Sequence, residues 1–460
     1  MSQQNKKMQL LGNAPIPQAL LAMGIPTMIG MLVNALYNLV DAYFVGGLGE
    51  SQMGAISVVY PLGQVVVGLG LLFGNGAASY ISRLLGRNDK EKANQVVSTA
   101  LYSSVFVGAV MIILSVIFLK PILSILGATE SILPYAVTYG SIYIISCIFN
   151  VFNVTMNNIV TSEGAAKTTM CALLIGAVLN IALDPIFIYV LDLGVAGAAI
   201  ATAISQVVST LVYLFYIFGK KSVFDFKIKN YCLSKEVASE IFKIGIPTLV
   251  FQILTTFHSL HQHAAADYGD AAIAGMGVVT RLVSMGSLTI FGFIKGFQPI
   301  AGYSYGAKKF NRLHEAIKTS IIWSTIFCVV YGLILALFST SIVSQFASGN
   351  LEMIKVGANS LRVNGISLML FGFYTVYSSL FLALGKGKEG FILGACRQGI
   401  CFVPVILVLP MIWGLNGILY AQPVADVLSA IITVFMAIHL HRELNEAEKQ
   451  AAIAGTNEVH

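Results

Sequence analysis

The chain has 460 residues, of which 57% are hydrophobic and only 10% charged, with a formal net charge of +6. A soluble globular protein carries ~25% charged residues. This composition, with a mean hydropathy of +0.81, excludes an ordinary water-soluble domain and fits a chain whose solvent is lipid. The basic excess sits in short loops between apolar runs, which fits membrane topology and argues against nucleic acid as a partner.

The chain opens on a polar stretch, Met1 to Asn13, without the pattern of a cleaved signal peptide. Twelve apolar segments of ~20 residues or more follow, the length of a membrane-crossing helix. They cover about 19–44, 53–82, 94–119, 133–161, 168–190, 195–218, 241–266, 273–303, 316–345, 354–384, 390–412 and 415–438. With a cytoplasmic N-terminus, 22 of the 27 basic residues fall in the inside segments, Arg83, Arg87, Lys308, Lys309 and Arg397 among them. The positive-inside rule therefore predicts a multi-pass protein of the plasma membrane with both termini in the cytoplasm. Six cysteines form no CxxC pair, and five lie in apolar segments, where a free thiol behaves as a small hydrophobe.

The longest inside loop divides the spans into six and six, and the two halves repeat. Gly24-Ile25-Pro26-Thr27 recurs as Gly245-Ile246-Pro247-Thr248, and Gly49 to Leu62 aligns with Gly269 to Leu282. Gly86 pairs with Gly306, and Gly197 with Gly417. Six spans per repeat, an even number, insert both halves in the same sense. The predicted fold is an all-α polytopic membrane protein, with twelve helices in two parallel-repeat six-helix bundles. The predicted divisions are an N-lobe over 1–220, an interlobe loop over 221–240, a C-lobe over 241–440 and a cytoplasmic tail over 441–460.

Ionisable side chains within a span are costly and point to function. Asp41, Asp184 and Asp426 are the clear cases. Asp184 lies ~24 Å along the fifth span, Thr202 ~10 Å from the outer end of the sixth, and Asp41 near the outer end of the first. Asn180 is one turn before Asp184 on the same face. Asp41, Asn180, Asp184 and Thr202 can therefore share one level, and their oxygens suit a small cation or a proton. At the repeat offset Asp41 meets Gln262, Asn180 meets Cys401 and Asp184 meets Val405, so the C-lobe lacks the cluster. Coupling is expected in the N-lobe, although Asp41 as a helix-end acceptor and Asp184 as a local acceptor beside Pro185 is the structural alternative.

Tyr37, Asn153, Asn157 and His258 are candidate lining of a substrate cavity. Tyr37 can equally pack, and the two asparagines can equally join helices. His258, His261 and His263 fit no HExxH pattern; a polar wall is expected there rather than a metal site, with a proton role for His258 open. Pro26 removes a helix hydrogen bond and permits a bend. Lys295 and Arg281, in the eighth span, need a counter-charge, and Asp426 is the expected partner in the same lobe.

The repeated GIPT helix start, the VDAYFVGGLG end of the first span, and the Gly-plus-charge loops LGRNDKEKA and YGAKKFNRL resemble the multidrug and toxic compound extrusion (MATE) family over about 15–440. The resemblance implies two six-helix lobes around a central cavity and export of cationic or amphipathic compounds against H⁺ or Na⁺. Asp41, Asn180, Asp184 and Thr202 are similar to the polar cluster of the DinF-like N-lobe, and Pro26 to the proline where its first helix bends. The chain looks closest to the DinF-like and MepA-like branches. The NorM-like branch uses acids in the seventh and tenth spans; here the tenth has none and the seventh only Asp267 at its edge.

The expected activity is thus secondary active multidrug efflux, with small amphipathic or cationic substrates and membrane lipids as partners. The chain is expected to act as a monomer with no cofactor, and with no metal beyond Na⁺ at the coupling site. A lipid-linked precursor flippase of the same superfamily is the alternative. An enzyme is not expected, because no catalytic constellation and no soluble domain are evident. Without a GxxxxGK[ST] motif, the energy has to come from an ion gradient.

Overall fold

The structure is a computed structural model that describes residues 3–255, 269–346 and 350–457. A short helix, α1 (Gln3–Gly12), precedes α2 (Ile16–Gly46), α3 (Glu50–Gly86), α4 (Lys90–Ile117), α5 (Leu119–Ile125) and α6 (Leu133–Ser162). Next come α7 (Ala166–Pro185), which continues as a π-helical turn over Ile186–Val190, and α8 (Gly194–Phe218). The second half holds α9 (Lys235–Thr255), α10 (Asp270–Gly306), α11 (Phe310–Leu337), α12 (Ser339–Ser344), α13 (Leu351–Leu368) and α14 (Phe371–Ala383). It ends with α15 (Gly387–Ala395), a π turn over Cys396–Ile400, α16 (Phe402–Trp413) and α17 (Leu415–Asn457).

Eleven of these are long and apolar enough to cross a membrane, among the described residues. The count reaches the expected twelve if α13 and α14, bent by 49° at their junction, form one span. Phe106, Phe215, Phe218, Met411 and Phe435 are each more than two-thirds exposed. Such a surface suits hydrocarbon and not water.

The repeat is written into the backbone. α3 and α10 are both 37 residues long, and α4 and α11 both 28. α3 starts after Gly49 at φ 109° and α10 after Gly269 at φ 93°, a region that glycine enters freely. After those helices Asn88 and Lys308 turn the chain at φ 59° and 56°. The two halves meet reciprocally. A Cβ on Gly86 would lie 2.2 Å from Tyr303 O, and one on Gly306 would lie 2.1 Å from Arg83 O. Equivalent residues exchanging equivalent contacts is the signature of a two-fold relation, as a parallel repeat requires.

Further seams follow the same logic. Gly296 abuts Gly24, and Gly245 abuts Leu72, so that α10 packs on α2 and α9 on α3. Glycine lets these backbones approach closely. Thr27 Oγ1 donates to Gly292 O across the first seam at 2.6 Å.

Three boundaries differ from the sequence reading. The polar N-terminus is helical over Gln3–Gly12. α9 starts at Lys235, and the loop before it is fastened to α4, with Tyr102 Oη donating to Phe226 O at 2.8 Å and Asp225 N to Asn94 Oδ1 at 2.9 Å. The twelfth span, expected to end near 438, runs unbroken to Asn457. Residues 439–454 are mostly good helix formers with no Gly or Pro, so nothing stops it.

Candidate functional site

The fifth span places Asn180 and Asp184 one turn apart, both buried. Asn180 Nδ2 donates to Asp184 Oδ1 at 3.3 Å and reaches Thr202 Oγ1 on α8 at 3.4 Å. From α2, the Asp41 carboxyl comes within hydrogen-bonding reach of Asp184. The four residues that the sequence put at one level are therefore one cluster. Tyr37 stands one turn before Asp41 on α2, close to both carboxyls. Pro185 directly follows Asp184 and leads into the π turn, a distortion often found at functional sites.

The cluster has more acceptors than donors. Asp41 Oδ1, Asn180 Oδ1 and Asp184 Oδ2 are buried without a hydrogen-bond partner among the described residues. Two adjacent carboxylates in a low-dielectric site repel, and each unpaired oxygen carries a desolvation cost. A proton shared between the acids, or a small hard cation among the oxygens, relieves both.

The remaining expected cavity residues differ. Asn153 is committed to helix packing: its amide donates to Gln206 O and Oε1, both at 2.9 Å, and Thr210 Oγ1 donates back at 2.9 Å. Asn157 donates to Tyr213 Oη at 3.3 Å and accepts from Lys295 Nζ, which comes from the opposite half. Pro26 is buried within α2, which runs on through it as one helix. His258, with His261, His263, Asp267 and Gln262, lies outside the described residues.

The expected ion pair of Asp426 with Lys295 or Arg281 is not formed. Arg281 is exposed, and Lys295 turns to Asn157. Asp426 instead binds Arg397 Nε at 2.9 Å, and also accepts from Ser367 Oγ and Gln422 Nε2 at 2.9 Å. Arg397, grouped with the inside segments by charge although it falls within the 390–412 segment, sits at the π turn of the eleventh span, buried, with its guanidinium over the Phe371 ring.

Sequence reasoning also missed Glu163, which caps the end of α6 and is completely buried. It accepts from Ser222 Oγ at 2.9 Å, Val223 N at 2.7 Å, the Tyr216 hydroxyl and Lys7 Nζ. It thereby ties α1, α6, α8 and the interlobe loop together. Burial raises its carboxyl above the ordinary value while Lys7 opposes the shift; burial likewise lowers the Lys7 ammonium. The available signal was an acid set directly after the fourth apolar segment and before Gly164.

Eleven or twelve membrane-length helices among the described residues, arranged in a repeat with a buried acid cluster in the first half, fit a polytopic membrane transporter. The MatE family model matches residues 26–186 and 234–408. The chain belongs to this family, the multidrug and toxic compound extrusion transporters. It is 32% identical to "Multidrug export protein MepA" of Staphylococcus aureus, covering 96% of this chain and 98% of that protein. The protein of the same name from Staphylococcus saprophyticus is 32% identical over 94% of this chain and 95% of its own. Among solved structures, a MATE transporter in its straight conformation matches with TM-score 0.90 and 27% identity, over 96% of this chain and 99% of that one. A MOP superfamily transporter from Pyrococcus furiosus, reported for the reverse polarity of its binding pocket, matches with TM-score 0.88 and 27% identity over the same shares.

Proposed function

We propose that this protein is a secondary active multidrug exporter of the plasma membrane. It carries amphipathic cationic or zwitterionic compounds outward in exchange for H⁺ or Na⁺, with both termini in the cytoplasm. The observation that carries the coupling is the set of three buried oxygens without donors at Asp41, Asn180 and Asp184. Relatives named as multidrug export proteins support the cargo class.

The two halves, 1–220 and 241–440, act as lobes joined by the loop between them. Their seams are closed by glycine contacts on the side that carries α1. An external ion enters the acid cluster near the far end of α2 and neutralises it. α2 then repacks, with the missing hydrogen bond at Pro26 as its point of bending. Ion binding biases alternating access only through its different affinity for the two states.

Efflux from proteoliposomes under an imposed pH or Na⁺ gradient tests this. Asp184→Asn abolishes gradient-driven efflux while the protein remains folded and inserted, and Asp41→Asn does nearly the same. Gln262→Ala, at the repeat-equivalent position, has little effect. Wild-type rates in both Asp variants would overturn N-lobe coupling. Transport confined to lipid-linked sugars would favour a flippase.

A further inference from the structure

The loop that joins the halves is laid along α4. Cys232 N donates to Thr99 Oγ1, and Thr99 Oγ1 donates back to Cys232 O, both at 3.1 Å. Tyr231 Oη lies 3.4 Å from Ser103 Oγ. With Asp225 held by Asn94 and Phe226 by Tyr102, the loop follows α4 from Asn94 to Ser103.

That path fixes its depth. α4 has 28 residues. A helix of that length measures ~42 Å, more than the ~30 Å hydrocarbon core, so its first turns stand among lipid headgroups. Phe106, one turn beyond Ser103, is exposed on the hydrocarbon-facing surface. The loop therefore sits at the boundary between headgroups and acyl chains.

Its side chains suit that boundary. A single helical turn over Ile228–Asn230 presents Ile228, which is 71% exposed, and Tyr231 and Leu233 are exposed beside it. Such apolar exposure is unfavourable in water, and tyrosine is favoured at the membrane interface. Lys227, Lys229 and Lys235 are exposed in the same segment. The neighbouring acids are engaged: Asp225 pairs with Lys227 at 2.8 Å, and Glu236 accepts from Lys92 and Tyr80. Lys229 and Lys235 have no carboxylate partner among the described residues.

We infer that the segment 227–235 is an interfacial anchor for anionic phospholipid, in which Ile228, Tyr231 and Leu233 insert at the acyl boundary and Lys229 and Lys235 donate to the headgroup phosphate. The leaflet is the one on the α1 side, cytoplasmic under the topology proposed above. Lys235 opens α9, so the bound headgroup ties the first helix of the second half to α4 of the first.

The test uses the full chain, with Cys171→Ser and Cys232→Ser, in nanodiscs of phosphatidylcholine with or without phosphatidylglycerol. A bimane label on Ile228→Cys should be quenched by lipid carrying a nitroxide near its glycerol backbone and shielded from aqueous iodide. The same label on Glu446→Cys, in the exposed tail, should respond to iodide alone. Phosphatidylglycerol should raise the unfolding temperature of wild type. Its apparent affinity, read by titrating that rise, should fall about fivefold for each of Lys229→Gln and Lys235→Gln. Lys229→Arg and Lys388→Gln should leave it unchanged. Iodide quenching at Ile228→Cys equal to that at Glu446→Cys overturns the anchor. An undiminished phosphatidylglycerol response in the double Lys229→Gln, Lys235→Gln variant overturns the headgroup assignment. Shielding of the Ile228→Cys label from both quenchers assigns the face to a protein partner, a second copy included, and overturns the lipid. Both leaflets carry the same lipids, so each outcome is independent of the proposed topology and of the exporter reading.

Discussion

Arg397 Nε lies 2.9 Å from Asp426 Oδ1, and both side chains are buried within the second half of the chain. Ser367 and Gln422 satisfy further lone pairs of the same carboxylate. A buried pair of this kind is held by completeness. Removing one partner leaves an uncompensated charge, at ~3–5 kcal/mol, whereas replacing both with apolar groups can be neutral. Asp426→Asn should therefore lower the unfolding temperature markedly, and Arg397→Met with Asp426→Leu should recover most of the loss. Thermal unfolding of the purified variants measures this. A double variant less stable than Asp426→Asn would show that the pair does more than compensate charge.

Asn180 is the donor that links Asp184 to Thr202. A hydrogen bond to a charged group contributes ~1.5–3 kcal/mol, so Asn180→Leu should weaken the coupling-ion affinity by about tenfold or more. The midpoint of efflux against proton or Na⁺ concentration should move accordingly, with substrate binding retained. An unmoved midpoint would remove Asn180 from the coupling site.

The reciprocal contact of Gly86 with Tyr303 O and Gly306 with Arg83 O leaves no room for a methyl group. Gly306→Ala should cost about 1–3 kcal/mol through forced separation of the backbones. It should also open the α1 side of the seam. Labelling of an introduced Ser82→Cys by a membrane-impermeant maleimide should rise. Because the two contacts share one seam, Gly86→Ala combined with Gly306→Ala should cost less than the sum of the single changes.

Glu163 and Lys7 offer a pH test. Burial raises the Glu163 carboxyl above its ordinary value of 4.5, against the pull of Lys7 and the Tyr216, Val223 and Ser222 donors. A group raised in the folded state contributes most to stability below its unfolded value and loses that contribution as pH rises through the folded one. The stability of wild type relative to Glu163→Gln should therefore fall as pH rises from below 4.5 towards neutrality. Unfolding temperatures across that range decide it, and a relative gain with rising pH would refute the assignment. Lys7→Met should additionally free α1, read as faster proteolysis at its end.

The parallel repeat and the acid cluster were legible for particular reasons. Gly49 and Gly269 mark helix starts because their backbone angles demand glycine. Asp41, Asn180, Asp184 and Thr202 could be aligned because helical rise converts residue number into depth. The charge partners were not legible. Arg397 falls inside the eleventh apolar segment, but its partner was not readable there; only the π turn and the packing of α17 bring it to Asp426.

By itself, the sequence determined the apolar spans, the repeat and the family, because hydropathy and helix geometry are local and one-dimensional. Tertiary structure alone decided which side chain faces which. Asn153 binds α8, Lys295 crosses to Asn157 rather than pairing with Asp426, and Glu163 gathers four segments. Depth fixes a residue's height along a helix but not the rotation of that helix against its neighbours. That rotation is set by glycine seams and side-chain shape, summed over contacts far apart in the chain.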